Sequence, residues 1–64
     1  MFKIGDCVLN QKTGDSGKVI GYGHEIVGGV FHSTLKVRVT KVTTLNHKGF
    51  VEEDLSSAWM RVEE

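Results

Sequence analysis

Residues 34–42 read Thr-Leu-Lys-Val-Arg-Val-Thr-Lys-Val, so that Leu35, Val37 and Val39 alternate with Lys36, Arg38 and Thr40. A period of two sends successive side chains to opposite faces of an extended chain, and this run predicts a strand with one apolar and one wet face. In a helix the same residues would scatter around the whole circumference. The rest of the chain agrees with a β reading. Eight glycines and no proline break the 64 residues into short pieces rich in β-branched side chains, the pattern of strands joined by turns.

The first strand is expected over residues 6–10, followed by a turn through residues 12–17 that carries Gly14 and Gly17. The second is expected over residues 18–27. There Ile20, Tyr22 and Ile26 share one parity and Gly21 and Gly23 the other, so a glycine face lets the strand bend. Gly28-Gly29 between Val27 and Val30 predicts a tight hairpin, because both central residues can take positive φ. Residues 43–48 are polar and read as a loop, and residues 49–52 as a short fourth strand. Asp54 is placed to cap one helical turn over residues 55–58. Residues 59–62 then close as a fifth strand. Trp59, Phe31 and Phe50 are expected to fill the core, which in so short a chain must be built almost entirely from such residues.

Five short strands with a helical turn before the last resemble the SH3-like small barrels. The opening also resembles the KOW-type motif of ribosomal and transcription-elongation proteins, through Gly5-Asp6-x-Val8 and Gly14-x-x-Gly17-Lys18-Val19-Ile20. These residues cover the first third of the chain. The resemblance implies one all-β, SH3-like five-stranded barrel over residues 1–64, and a role in binding.

Charge is balanced overall and uneven along the chain. Residues 1–25 are neutral, residues 26–51 carry +4, and residues 52–64 carry −4. A net charge of zero argues against a general polyanion binder. Folding either brings the two charged segments together or leaves separate basic and acidic faces. The first residues contain no basic run followed by an apolar stretch, and no apolar run approaches the roughly 20 residues needed to span a bilayer. A cytoplasmic chain without membrane insertion is expected. The single cysteine, Cys7, excludes an intrachain disulfide.

No catalytic constellation emerges. Cys7 lies in the first strand, where small thiols are commonly inert, and Glu52, Glu53 and Asp54 are consecutive and cannot all face one substrate. Gly21-Tyr22-Gly23 sits inside a strand, with no helix after it to receive a phosphate. The spacing of His24, His32 and His47 matches no common zinc motif. A symmetric hairpin would bring His24 near His32, which is the one metal alternative; otherwise neither metal nor cofactor is expected.

The outward residues of the third strand are the leading candidates for contact. Lys36 and Arg38 project together, with Lys41 and Lys48 near the strand's end, and Tyr22 is the available aromatic stacker. The reading that follows is a non-enzymatic binding or adaptor module that docks onto a protein complex through its strand faces. The alternative is a KOW-like nucleic-acid module using Lys36, Arg38 and Lys41, since phosphate pairing beside a stacking ring holds single strands. A homo-oligomer, in which exposed edge strands pair, is the third possibility.

Overall fold

The computed structural model describes residues 2–41 and 50–62. Five strands, β1 (Cys7–Asn10), β2 (Ser16–Val27), β3 (Val30–Lys41), β4 (Val51–Leu55) and β5 (Trp59–Arg61), form one antiparallel sheet in the order β4-β3-β2-β1-β5. A single 3₁₀ turn, Ser56–Ala58, joins β4 to β5. The chain is therefore all-β, as its periodicity predicts. The sheet is not closed: β4 and β5 are its two outer strands, and among the described residues no ladder joins them.

The alternation in β3 is realised in full. Leu35, Val37 and Val39 are buried, and Lys36, Arg38 and Thr40 are exposed. Val8, Val19, Leu35, Val37 and Trp59 form the core, with Phe2 packed against it. Trp59 is only 3% exposed, as expected of a core residue. Phe31 and Phe50 do not follow. Phe31 is 67% exposed and Phe50 also faces solvent, because β2 and β3 run on well past the core and carry Phe31 with them.

The hairpin between β2 and β3 turns on Gly28 and Gly29 with φ of 57° and 79°, and Val27 pairs with Val30. These are the dihedrals of a primed turn, whose twist matches that of the strands. β3 consequently begins at Val30, four residues before its alternating run. Two bulges interrupt the register. Thr40 is an extra residue in β3 between the Gly17–Val39 and Ser16–Lys41 pairs, and Ile20 is extra in β2 between Val19–Val37 and Gly21–Lys36. The second bulge takes Ile20 out of the ladder, while Tyr22 and Ile26 keep one face and Gly21 and Gly23 the other. Tyr22 lies opposite buried Leu35, while Gly21 lies opposite exposed Lys36.

The fourth strand differs from expectation at both ends. It extends through Leu55, and Gly49 lies outside the described residues, as does the expected loop over 43–48. Asp54 belongs to β4 and does not cap the 3₁₀ turn, whose start has no side-chain cap. Its carboxylate instead faces the β1–β2 turn. Asn10 donates from Nδ2 to Asp54 Oδ2 at 3.1 Å, Lys12 donates from Nζ to Oδ1 at 3.1 Å, and Thr13 Oγ1 donates to Glu52 Oε2 at 3.2 Å. The Gln11 N–H adds a bond to the Ala58 carbonyl at 2.8 Å. Where no ladder closes the sheet, a polar clasp joins the first turn to β4 and to the turn beyond it.

Candidate functional site

Antiparallel pairing places directly opposed residues on the same face. On the outer face of β3, Lys36 is flanked by Gly21 and by Glu53, and Arg38 by Lys18 and Val51. Thr34, on the same face, donates from Oγ1 to Glu53 Oε2 at 2.6 Å. Of the two charged segments, the β3–β4 ladder sets Lys36 beside Glu53, whereas Glu52 and Asp54 oppose Val37 and Leu35 on the other face. Lys36 has an acid as its cross-strand neighbour. The sequence reading missed Lys18, which extends the stripe beside Arg38; only the register across the Ile20 bulge reveals it.

The remaining candidates fall elsewhere. Lys41 sits beyond the Thr40 bulge, opposite Ser16, and borders a shallow depression of about 350 Å³ together with Lys18 and Cys7. Lys48 lies outside the described residues. Tyr22 is on the core side of the sheet, opposite Leu35, so it is not beside the Lys36–Arg38 stripe. A stacking ring and a phosphate-pairing row are therefore not assembled on one surface. His24 and His32 are also parted. His24 opposes Ser33 and stacks on Phe31 with ring centroids 4.6 Å apart, whereas His32 opposes Glu25 on the other face. No group of three or more His, Cys, Asp or Glu among the described residues is placed to hold a metal ion.

What the structure assembles is a groove on the core side. Phe2, Tyr22 and Leu35 form its apolar walls, Ser33 and Ser56 its polar lip, and it encloses about 550 Å³. That volume falls in the range of small-ligand and peptide pockets. Tyr22 Oη donates to the Phe2 carbonyl at 2.8 Å, fixing the ring as a wall. Ser33 and Ser56 lie 2.8 Å apart through their hydroxyl oxygens. One hydroxyl donates to the other, so the acceptor of that pair keeps its own proton for a further bond.

Beyond the groove the same face continues bare. Ile26 opposes Phe31 on the outer part of the hairpin, 66% and 67% exposed. A mostly apolar surface, interrupted by the His24–Ser33 pair, thus leads from the core edge toward the hairpin tip. The sequence carried a signal of it in Val27-Gly28-Gly29-Val30-Phe31, a hairpin with apolar arms, but not the exposure of those arms.

Electrostatics concentrate at the clasp. Partial burial pushes the Asp54 carboxyl upward, but hydrogen bonds from Asn10, the Leu55 N–H and Lys12 outweigh it and hold the group below the ordinary aspartate value. Glu52 moves the other way. Burial raises it, and a hydrogen bond shared with Asp15 raises it further against the opposing pull of Thr13. Asp6, at the far edge, is lowered by the Lys3 N–H and by Arg61, whose Nη2 is 3.3 Å from Oδ2.

No protein-family model matches the chain, and no curated protein or solved structure matches it significantly. No helix among the described residues is long and apolar enough to cross a membrane.

Proposed function

We propose that the domain is an SH3-like, non-enzymatic docking module that receives an extended, apolar segment of a partner protein in the groove between Phe2, Tyr22, Leu35, Ser33 and Ser56. The SH3-like reading is supported by the strand order β4-β3-β2-β1-β5 and the 3₁₀ turn before the last strand. The observation that carries the docking reading is the continuity of apolar side chains from buried Leu35 outward to Tyr22, which is 52% exposed. An open apolar channel with a hydroxyl lip suits a peptide, whose side chains meet the walls and whose backbone meets the serines.

The test is a selection of displayed random peptides on the immobilised domain, followed by NMR mapping of the best binder. Shifts at Tyr22, Ser33 and Ser56, abolished by Tyr22→Ala in a variant with an unchanged circular dichroism spectrum, support the proposal. Selected peptides that leave those three signals unmoved defeat it.

A second reading rests on the Lys18–Arg38 neighbourhood, which enlarges the basic row of Lys36 and Arg38 with Lys41 at its end. In this KOW-like role the outer face would pair with phosphates, without the stacking contribution of Tyr22. Labelled single-stranded and duplex oligonucleotides at two salt concentrations decide it: absence of binding at low salt removes this reading.

A further inference from the structure

We infer that the outer part of the β2–β3 hairpin is a self-association site, where the free edge of β2 pairs antiparallel with the same edge of a second copy of this chain. This inference concerns the hairpin beyond the groove and does not rest on the docking reading.

The chain before and along β1 bonds to β2 only as far as Val19, and β4 pairs with β3 only as far as Thr34. Residues 24–33 are therefore a two-stranded ribbon to whose edges no further strand pairs among the described residues, and every one of them is exposed. In an antiparallel ladder alternate residues turn their backbone groups to one side or the other. The two-residue hairpin makes Val27–Val30 a mutually bonded pair, so Tyr22, His24 and Ile26 direct their N–H and C=O groups away from β3. On the opposite edge, Val39 donates to the Phe50 carbonyl at 2.9 Å, and the same alternation turns Phe31 and Ser33 outward. Ser33 there meets Ser56 of the 3₁₀ turn. β2 is thus the longer open edge.

Proteins that must stay monomeric blunt such edges with lysine, proline or a bulge. Residues 21–35 contain no lysine, no arginine and no proline, and the Ile20 bulge lies before the free stretch. The edge carries apolar and neutral side chains instead, with Glu25 its one acid. A two-fold axis through His24 sets Tyr22 opposite the partner's Ile26 and Gly23 opposite the partner's Glu25. All three outward residues then make bonded pairs, and no two like charges stand directly opposed. An axis through Glu25 would set that carboxylate against its own copy, an unfavourable pairing.

Tyr22, Ile26 and Phe31 together leave roughly 350 Å² of side chain open, given the area such residues bury in cores. His24, Val27 and the edge backbone bring the patch to roughly 600 Å² per copy, near the lower limit for a specific interface. The occupant is a second copy because the edge is complementary to itself, and its single charge, on Glu25, falls opposite Gly23 in that pairing. The modest area implies a dissociation constant between about 10 μM and about 1 mM.

Sedimentation equilibrium from about 5 μM to about 2 mM, a range chosen to bracket that affinity, is expected to carry the mass from 7.1 kDa to twice that value and no further. Amide exchange on the unmodified chain is expected to slow with concentration at Tyr22, His24 and Ile26 and to stay constant at Phe31. Ile26→Lys should weaken association at least tenfold, whereas Val30→Lys, on the other strand and the other face, should leave it unchanged. A chain that remains at 7.1 kDa throughout overturns the inference. So does growth beyond two copies, protection at Phe31 in place of the β2 amides, or equal dissociation by both lysine variants.

Discussion

Asn10 and Asp54, 44 positions apart, are joined by a hydrogen bond of 3.1 Å that ties the first turn of the chain to its fourth strand. Asn10 is fully buried, and its Oδ1 also accepts the N–H groups of Lys12 and Thr13 at 2.8 and 3.0 Å. One side chain therefore shapes the turn and fastens it. Replacing it by alanine leaves two backbone donors and a carboxylate short of a partner, each an expense of about 1 kcal/mol or more. Asn10→Ala is expected to lower stability by about 2–3 kcal/mol in urea titrations followed by Trp59 fluorescence. A loss under about 0.5 kcal/mol, the usual effect of a bland surface change, would mean that the clasp contributes little.

Gly17 is buried where β2 crosses close to β3. A Cβ there would run into the carbonyl oxygen of Arg38 and come within 2.8 Å of Val39 Cα. Both are backbone atoms, which cannot swing aside as a side chain can. Gly17→Ala is therefore expected to cost about 3 kcal/mol or more, in line with strongly overpacked sites, or to prevent folding. The proton NMR spectrum checks this: native-like dispersion with unchanged stability would contradict it.

The two faces of β3 call for opposite responses to neighbouring substitutions. Val37→Ala removes methyl groups from a fully buried site and is expected to cost about 2 kcal/mol. Lys36→Ala, one residue away on the wet face, should stay within about 0.5 kcal/mol. Equal losses in thermal unfolding would contradict the alternation on which the whole sheet rests.

Stability should pass through a maximum in mildly acidic solution. Asp54 and Asp6 are held below the ordinary 3.8, so their contribution is complete above that pH and is lost as pH falls through their folded values. Glu52 is raised above 4.5 by burial and by Asp15, so its contribution is complete below that pH and is lost as pH rises through its folded value. Glu52→Gln keeps an acceptor for Thr13 and removes the charge. It is expected to stabilise the protein at neutral pH and to flatten the decline above pH 4.5. A variant less stable than the parent at neutral pH would show that the carboxylate is welcome there.

The fold was largely legible because its signals are local. Period two in β3, the Gly28-Gly29 hairpin and buried Trp59 all follow from nearest neighbours in the chain. The site was less legible because it depends on register. One extra residue at Ile20 moves Tyr22 to the core side, away from Lys36 and Arg38, and nothing in the pattern of residues 18–27 marks that position as a bulge. Asp54 reads as a helix cap from its neighbours, yet its partners Asn10 and Lys12 lie far away in sequence. Phe31 reads as core because it is aromatic, while its exposure follows from the distance β3 runs past the last residue it shares with β4.

The bulge at Ile20 decides which side of the projecting ribbon is oily. Val19 and Tyr22 differ in parity, yet both oppose inward residues of β3, Val37 and Leu35, because the position between them is left out of the pairing. Deleting Ile20 would join Val19 to Gly21 in an even ladder and leave Tyr22 and Ile26 where they are. Drawing Ile20 into the ladder would instead turn over every residue beyond it, so a slip by one pairing, with no change of sequence, would trade the oily side for a glycine-lined one.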